Sequence, residues 1–316
     1  MDLEEEFAQH RAELVAHCYR MLGSLHDAED AVQETYLRAW RGHADFEHRS
    51  TIRTWLYRIA TNVCLNLLQH SSRRVLPSAL GAPGNDPDDL HAQALEVPWL
   101  EPFPDRLLGS DPAEVVGDQA SLRLAVVAAM QHLPPRQRAV LILREVLTWP
   151  AAEVASLLDT TTAAVNSSLQ RARAELARQR PREDELSEPR EPLRRALLDQ
   201  FQAAMESKDL VLLEGLFTAD ARWEMPPIPT WFDGRSDVLR LLDAKLRSGP
   251  GQRVLVETTA NGQPAFAMYS RGADGRFHAH SLMALTITGN AVSAVLAFHQ
   301  PAFFAAFGLP LVHRSS

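Results

Sequence analysis

The chain has 316 residues, a formal net charge of −8 and a hydrophobic fraction of 46%, the composition of an ordinary globular protein with room for two or three small domains. No apolar run approaches the ~20 residues of a membrane-spanning helix, and the acidic start MDLEEEF is unlike a signal peptide, so we expect a cytoplasmic protein. Cys18 and Cys64 lack metal-ligand spacing, so the sequence predicts neither a disulfide framework nor a metal site.

The charge is unevenly distributed along the chain. Residues 76–118 carry one basic and nine acidic residues, whereas residues 119–180 carry eight basic and four acidic residues. The location of charge says more about partners than its total does. The net negative charge is therefore compatible with a nucleic-acid-binding module elsewhere in the chain.

Residues 5–75 are predicted to be helical throughout, and the last helix of this segment has two different faces. Its apolar face is predicted to be buried and consists of Leu56, Ile59, Val63 and Leu67. Its polar face consists of Arg58, Asn62, Asn66, Gln69 and Arg73. Such side chains, beside Trp55 and Tyr57, can neutralise phosphates, hydrogen-bond to base edges and stack on unpaired bases.

This segment resembles region 2 of the extracytoplasmic-function (ECF) group of bacterial RNA polymerase sigma factors. The resemblance rests on Asp27-Ala28-Glu29-Asp30, Arg38-Ala39-Trp40 and the run Thr54-Trp55-Leu56-Tyr57-Arg58-Ile59-Ala60 followed by Asn62. It implies that Asp30, Gln33 and Glu34 contact the clamp helices of the largest polymerase subunit. It also implies contacts with the melted −10 element by Phe46, Arg49, Arg53, Arg58, Asn62, Asn66, Gln69 and Arg73. Trp40, Trp55 and Tyr57 are equally compatible with roles as core aromatics.

Residues 76–118 contain seven prolines and no sustained periodicity, which predicts a linker. In sigma factors the linker between the two modules threads through the basic RNA-exit path of polymerase, and an acidic linker would be attracted there. A linker that is merely solubilising is the alternative. Trp99, Leu100 and Phe103 have no reason to be apolar in a free acidic tether. We therefore expect them to dock on a folded surface, most simply the C-terminal domain.

Residues 133–176 have the pattern of a helix-turn-helix. A helix over about 135–148, a short helix to about 158 and a turn over 159–162 precede a last helix, whose predicted buried seam is Val165, Leu169, Ala172 and Leu176. Outside the seam, Asn166 and Gln170 suit base edges, and Arg171, Arg173 and Arg178 suit phosphates.

This second module resembles sigma region 4, which reads the −35 element and binds the polymerase flap. The resemblance rests on Leu133-Pro134, Arg136-Gln137-Arg138, Glu153-Val154-Ala155 and the run from Val165 to Arg173. It implies −35 contacts by Asn166, Ser167, Gln170, Arg171, Arg173 and Arg178. A −10 module followed by a −35 module is the order that promoter recognition requires.

The run PREDELSEPREP (181–192) predicts a second linker, after which the pattern changes. Helices near 193–217 and 235–247 precede strand-like runs near 252–260, 264–271, 276–288 and 291–299, separated by glycine turns. Residues 193–316 resemble the SnoaL-like branch of the NTF2-like fold, on the motifs Ala221-Arg222-Trp223-Glu224-Met225-Pro226-Pro227 and Trp231-Phe232-Asp233-Gly234-Arg235. This resemblance implies a cone of helices wrapped by a curved sheet.

A cone of this kind is either catalytic, ligand-binding or purely regulatory. Catalysis needs a carboxylate or histidine base with a tuned pKa in an apolar pocket. The candidates are Asp220, Glu224, His278, His280 and His299. No clear acid–base pair stands out among them, so we expect no catalytic residues, no cofactor and a regulatory domain, with a small-molecule ligand left open.

The predicted fold class is multidomain: two all-α sigma modules followed by an α+β NTF2-like cone. The predicted domains are region 2 (1–75), an acidic linker (76–118), region 4 (119–180), a short linker (181–192) and the cone (193–316). The predicted function is a non-enzymatic sigma factor that binds core RNA polymerase and promoter DNA, with the cone modulating its activity in cis. The alternatives are a polymerase-independent helix-turn-helix regulator that senses a small molecule, and an isomerase or cyclase with appended DNA-binding parts.

Overall fold

The computed structural model describes residues 3–46, 50–70, 72–108, 120–179, 191–246 and 251–313. The chain forms two compact units, each discontinuous in sequence: Met1–Arg74 with Asp105–Arg180, and Val75–Pro104 with Pro181–Ser316. Within the described ranges, no helix has the length and apolar character needed to cross a membrane.

The first unit begins with three helices, α1 (Leu3–Leu22), α2 (Leu25–Gly42) and α3 (Ile52–Leu67). Their starts follow from local capping. The Ser24 hydroxyl accepts a hydrogen bond from the Asp27 backbone N–H at 3.1 Å, and Thr51 does the same for Thr54 at 3.1 Å. These caps set where α2 and α3 begin.

The buried face of α3 differs in part from the predicted one. Leu56 and Val63 are buried and Ile59 is half-buried, as the helical spacing suggests, but Leu67 is 44% exposed. The helix instead also buries Tyr57, Ala60, Thr61 and Cys64. Of these, Ala60, Thr61 and Cys64 are small and let α3 approach α1 closely, and Thr61 Oγ1 lies 3.0 Å from His17 Nε2. The prediction that Leu67 belongs to the core is wrong, since the last buried residue of the helix is Cys64.

The second half of this unit contains α4 (Leu124–Met130), α5 (Pro135–Leu141), α6 (Ala151–Leu157) and α7 (Thr162–Gln179). The single helix expected over 135–148 is interrupted, because a π-helical turn spans Ile142–Val146 and Thr148 has a φ of 55°. This break brings Trp149 into the core, where its backbone N–H donates to the Leu143 carbonyl at 2.9 Å. The helix-turn-helix layout itself is as predicted.

The buried seam of α7 is confirmed for Val165, Leu169 and Ala172, while Leu176 is half-buried. The turn before α7 contains Asp159 at a φ of 52°, and the Thr161 hydroxyl accepts the Ala164 N–H at 3.2 Å. The turn and cap therefore lie within the predicted interval 159–162.

The second unit begins with α8 (Glu191–Ser207), α9 (Leu210–Leu216) and α10 (Arg235–Lys245), which pack on one sheet. The strands are β1 (Phe217–Met225), β2 (Ile228–Asp233), β3 (Arg253–Ala260), β4 (Gln263–Arg271), β5 (Phe277–Thr288), β6 (Ala291–Phe298) and β7 (Val312–His313), and α11 (Phe303–Ala306) lies between the last two. The sheet order is β2-β1-β6-β5-β4-β3, with β7 pairing with β5, and β1 runs parallel to β6.

The four strand-like runs of the sequence correspond to β3–β6, but β1 and β2 were not predicted as strands. The glycines at 262, 275 and 289 have φ values of 67°, 77° and 59°, which explains why each tight turn needs a residue without a Cβ. Pro226 and Pro227 separate β1 from β2, and Pro229 lies within β2, so strand prediction from the period of two fails there.

Both faces of the sheet are buried in part. On one face, Trp223, Phe232, Phe266 and Met283 join the helices in the hydrophobic core. Because side chains alternate along a strand, Glu224 lies on the opposite face, and its register partners are Trp231 on β2 and Leu296 on β6. These side chains are also buried, and residues 75–104 belong to the same unit.

Candidate nucleic-acid interface

The polar stripe of the first module lies on an accessible surface. Arg58, Asn62 and Asn66 are exposed on one side of α3, and Gln69 and Arg73 are exposed just beyond its end. Cations and amides in such a row can hold a phosphate backbone and read the edges of bases.

Arg53, at the start of α3, differs from the other predicted DNA contacts. Its guanidinium donates to the Glu13 carboxylate through Nε at 2.8 Å and Nη2 at 2.6 Å, and the Tyr57 hydroxyl donates to the same carboxylate at 3.0 Å. Burial raises the pKa of Glu13, but the hydrogen bonds and charge of Arg53 outweigh it, so the net pKa is below its usual value. The Glu13 carboxylate therefore offsets much of the positive charge of Arg53. This pair joins residues 40 positions apart, and the sequence analysis did not predict it.

The loop before α3 carries an aromatic stack. The rings of Phe46 and Trp55 are stacked with their centroids 4.7 Å apart, and both residues are half-buried. A base can extend such a stack. Arg49, the remaining predicted −10 contact, lies outside the described residues.

The predicted polymerase-binding face of α2 is accessible and extends further than the sequence analysis suggested. Asp30 and Gln33 are exposed, and Glu34 is half-buried and accepts from Arg38 Nε at 2.7 Å. One helical turn further, Leu37 and Trp40 are exposed, Trp40 by 62%. Large apolar side chains exposed next to one another on a helix are typical of a partner surface. The missed signal was an apolar Leu37 outside the buried stripe.

The predicted −35 contacts all lie on the exposed side of α7. Asn166, Ser167 and Gln170 are exposed in its N-terminal half, where a recognition helix meets base edges. The basic residues Arg171, Arg173 and Arg178 are exposed too. Arg173 pairs with Glu145 at 2.6 Å and Arg178 with Glu175 at 3.1 Å. Surface pairs of this kind are weak and leave both arginines available for phosphates.

Phe103 of the predicted linker is buried and bound to the C-terminal domain. The Phe103 backbone N–H donates to Asn261 Oδ1 at 2.7 Å, and the Asn261 N–H donates to the Phe103 carbonyl at 2.8 Å. Asn261 has a φ of 59° in the turn between β3 and β4. Trp99 and Leu100, which lie just before Phe103 in the chain, are also buried. The Leu100 N–H donates to the Val75 carbonyl at 2.9 Å.

The same segment also follows the edge strand β2. Gly84 N–H donates to the Trp231 carbonyl at 2.7 Å, and Trp231 Nε1 donates to the Gly81 carbonyl at 2.9 Å. His91 N–H donates to Thr230 Oγ1 at 2.9 Å. A Cβ at residue 84 would lie 2.8 Å from Thr230 Cγ2, so the close approach requires glycine. We call residues 75–104 the linker strap, since they cover one edge and one face of the sheet.

Glu224 is the one acidic side chain buried beneath the strap among the described residues. The Ser78 backbone N–H donates to its Oε2 at 2.8 Å. Burial raises the pKa of Glu224 above its usual value, although the hydrogen bonds from Ser78 and the charge of Arg222 partly oppose the increase.

Replacing Glu224 with glutamine is expected to make the stability of the C-terminal unit less dependent on pH. A raised pKa in the folded state means that the carboxyl group stabilises the fold fully below its unfolded pKa of about 4.3 and that this contribution is lost as pH rises through the folded pKa. Glu224→Gln should therefore gain stability relative to wild type with increasing pH. Urea unfolding between pH 4.5 and 8 measures this difference, and parallel pH profiles of the two proteins would contradict it.

The candidate catalytic residues lie in different surroundings. Asp220 is exposed, and His278 pairs with Asp274 at 2.9 Å on the surface. The rings of His280 and His299 lie 5.0 Å apart, and burial lowers the pKa of His299 to about 4. A cavity of about 330 Å³ is lined by Leu80–Asp86, Asp89 and His91 of the strap with Pro229 and Thr230, and none of the candidate catalytic residues lines it. Within the described residues, no group of three His, Cys, Asp or Glu side chains is arranged to hold a metal ion.

Comparison with known proteins assigns both helical modules. Residues 7–74 match Sigma-70 region 2, and residues 123–176 match Sigma-70, region 4. The ECF RNA polymerase sigma factor SigG of Mycobacterium tuberculosis (strain ATCC 25618 / H37Rv) is 49% identical over 312 residues, which cover 98% of this chain and 84% of SigG. SigJ of the same strain is 28% identical over 328 residues, which cover 98% of this chain and 95% of SigJ.

The overall architecture is shared as well. The crystal structure of the M. tuberculosis extracytoplasmic function sigma factor SigJ matches 98% of this chain and 100% of its own, with a TM-score of 0.65 and 25% identity. The predicted order of two helical sigma modules followed by an α+β domain is confirmed. Given both sigma modules in the expected order and a relative with 49% identity, the chain belongs to the ECF family of RNA polymerase sigma factors, which bind core polymerase and direct it to promoter DNA.

Proposed function

We propose that α3 and α7 of this sigma factor read the −10 and −35 elements, respectively, and that the C-terminal domain modulates initiation in cis by holding the linker strap. The observation that carries the second part is the pair of reciprocal hydrogen bonds between Phe103 and Asn261, at 2.7 and 2.8 Å. The regulation is expected because the linker strap cannot be bound to the C-terminal domain and lie in the RNA-exit path of polymerase at the same time.

The assignment of DNA contacts rests on exposure and chemistry. The exposed Arg, Asn and Gln side chains of α3 suit a melted strand, whose bases are unpaired and whose phosphates need neutralising. Asn166 and Gln170 on α7 suit base edges in an intact major groove. We assign the exposed face of α2, including Asp30, Gln33, Leu37 and Trp40, to the polymerase clamp helices.

The linker strap connects the DNA-reading modules to regulation. During initiation the acidic linker of a sigma factor is expected to enter the basic RNA-exit path, yet here it is bound to the sheet by at least five backbone or side-chain hydrogen bonds. Burial of Trp99, Leu100 and Phe103 contributes on the order of 5 kcal/mol. Polymerase must offset this free energy before the strap can leave, so a firmly bound strap lowers the apparent affinity for core polymerase.

No chemistry is needed for this role. Asp220 and His278 are exposed, and the carboxylate of the buried Glu224 accepts a hydrogen bond from the strap itself. We infer that the C-terminal domain is a regulatory domain rather than an enzyme, and that the protein acts in the cytoplasm with core polymerase.

Substitution of Asn261 tests the proposal. Asn261→Gly keeps the left-handed turn but removes the acceptor of the Phe103 N–H, whereas Asn261→Asp keeps an acceptor and serves as the matched control. Loss of one buried hydrogen bond is worth about 1 kcal/mol, so we expect Asn261→Gly to raise promoter-specific transcription two- to tenfold at limiting core polymerase.

The measurement is multi-round transcription with core polymerase on a promoter selected from genomic binding. Full-length wild type, both variants and residues 1–180 are compared, with Trp99 burial followed by fluorescence quenching. Equal transcription from wild type and Asn261→Gly, with the strap released in the variant, would disprove the regulatory part. Tight duplex binding without any initiation would instead favour a polymerase-independent regulator.

A further inference from the structure

The first unit holds both cysteines of the chain, and they are neighbours in its core. Cys18 lies on α1 and Cys64 on α3, and both are free thiols that are fully buried. The two thiol groups are hydrogen-bonded to each other. In a disulfide the two sulfur atoms are about 2.05 Å apart, so only cysteines that are already neighbours can form one without a large movement of the backbone. This pair meets that requirement.

The packing of α3 on α1 places the two cysteines together independently of their hydrogen bond. The ring of His17 on α1 contacts Tyr57 of α3 with centroids 5.0 Å apart, and His17 Nε2 lies 3.0 Å from Thr61 Oγ1. Tyr57, Thr61 and Cys64 are spaced by four and three residues, so they share one face of α3. Cys18 follows His17 directly on α1. The face of α3 that packs on α1 therefore reaches Cys64 where α1 presents Cys18.

The surroundings of the pair keep it unreactive at rest but favour the charged form needed for reaction. Burial, followed by the hydrogen bond and charge of Cys18, raises the pKa of the Cys64 thiol well above its usual value, and the charge of the buried Arg138 opposes this increase. Cys64 is therefore a protonated thiol in the resting protein. A nearby cation stabilises a thiolate, which is the form of cysteine that attacks an oxidant.

The position of Cys64 gives a small oxidant a way to the pair. Cys64 lies in the last turn of α3, which ends at Leu67, and both Asn66 and Leu67 are exposed. The ends of helices open transiently at a much lower free-energy cost than the core does. Hydrogen peroxide, which is little larger than water, can reach the sulfur atoms during such an opening. The pair is therefore buried at rest and open to slow oxidation.

We propose that Cys18 and Cys64 form a modification site, at which hydrogen peroxide converts the two thiols into a disulfide that joins α1 to α3. One thiol loses its proton and attacks a peroxide oxygen, the O–O bond breaks, and the hydroxide that leaves takes up the proton to give water and a sulfenic acid. The second thiol attacks the sulfenic sulfur, the S–S bond forms and a second water leaves. Two electrons pass from the thiols to the peroxide. Intracellular disulfides are usually transient and redox-sensing, so the dithiol is the resting form.

The disulfide changes region 2 in two ways. It closes a loop of roughly 45 residues, which stabilises the helical unit by restricting the unfolded chain. It also brings the sulfur atoms from hydrogen-bonding separation to about 2.05 Å, so the last turn of α3 moves towards α1. That turn carries Asn66, and Gln69 follows it. An effect on −10 reading rests on the proposed function, whereas formation of the bond does not.

The first test treats the reduced full-length protein with hydrogen peroxide, removes the oxidant and maps the cysteines by mass spectrometry. Wild type should lose two hydrogen atoms and give peptides linked through Cys18 and Cys64, and dithiothreitol should reverse the link. The midpoint temperature of unfolding of the helical unit should rise by roughly 10 °C.

Cys18→Ala and Cys64→Ala are the matched controls, because each leaves one thiol and should show neither the linked peptides nor the rise in midpoint temperature. Wild type without linked peptides, or with its thiols oxidised to sulfinic or sulfonic acids instead, would overturn the proposal. An unchanged or lower midpoint in the linked protein would overturn the stabilisation.

Transcription separates the modification site from its effect on promoter reading. Oxidised protein, freed of peroxide, is added to core polymerase that has not been exposed to the oxidant. Promoter-specific transcription by wild type should fall about fivefold, the change expected from the loss of one hydrogen bond, and should recover on reduction. Oxidation should leave Cys18→Ala unchanged. Equal transcription by linked and reduced wild type would retain the modification site and overturn its effect on −10 reading, and an equal loss in Cys18→Ala would assign the loss to other oxidised residues.

Discussion

Replacing Phe103 with alanine is expected to lower the free energy of unfolding of the C-terminal unit by about 3–5 kcal/mol, the usual cost of removing a fully buried phenylalanine. Its side chain is 0% exposed, and both of its backbone polar groups are paired with Asn261. The cavity left by the missing ring cannot collapse easily, because the hydrogen bonds with Asn261 hold the backbone of the strap in place at residue 103.

Thermal unfolding of the full-length protein provides the measurement. The midpoint temperature of unfolding of the C-terminal unit should fall by about 10 °C, while the midpoint of the helical unit should change by no more than about 2 °C. Leu95→Ala is the matched control, because Leu95 belongs to the same strap but is 72% exposed and should cost less than about 0.5 kcal/mol. Equal effects of the two substitutions would show that the docking of Phe103 contributes little.

Replacing Asn166 and Gln170 together with alanine is expected to reduce transcription from a promoter with an intact −35 element at least about 30-fold. Each bidentate contact between an amide and a base is worth about 1–3 kcal/mol of discrimination, and both side chains are exposed in the N-terminal half of α7. Neither supports the fold, since the seam of α7 is formed by Val165, Leu169 and Ala172.

A matched phosphate-contact variant distinguishes sequence reading from simple affinity. Arg171→Ala should weaken binding about equally on specific and randomised −35 sequences and reduce the slope of affinity against salt by about one. The Asn166→Ala, Gln170→Ala double variant should instead lose activity only where the −35 sequence is intact. A uniform loss across sequences in the double variant would reassign these residues to phosphate contacts.

The parts of this structure that were predictable from sequence are those governed by local rules. The caps at Ser24 and Thr51, the turn at 159–162 and strands β3–β6 follow from residue type and period. The misses have non-local causes. β1 and β2, which flank Pro226 and Pro227, are strands because the sheet pairs them, and Leu67 is exposed although it has the helical spacing of the buried Leu56 and Val63.

The same distinction between local and non-local causes holds for the site residues. Exposure of Asn166, Gln170 and Arg171 on α7 was foreseeable from the helical period. The pairing of Arg53 with Glu13, and of Phe103 with Asn261, was not, because each joins residues that are 40 and 158 positions apart. An asparagine in a turn carries no signal of its distant partner.

The division of each unit into two stretches of sequence has a consequence for biosynthesis. The strap leaves the ribosome long before the strands that it covers, since β6 ends at Phe298. At 5–20 residues per second, roughly 200 further residues take about 10–40 s to translate. During that interval the nascent chain has its promoter-reading helices complete but its strap unbound, so a chain interrupted late in translation would be released without the control that the finished protein carries.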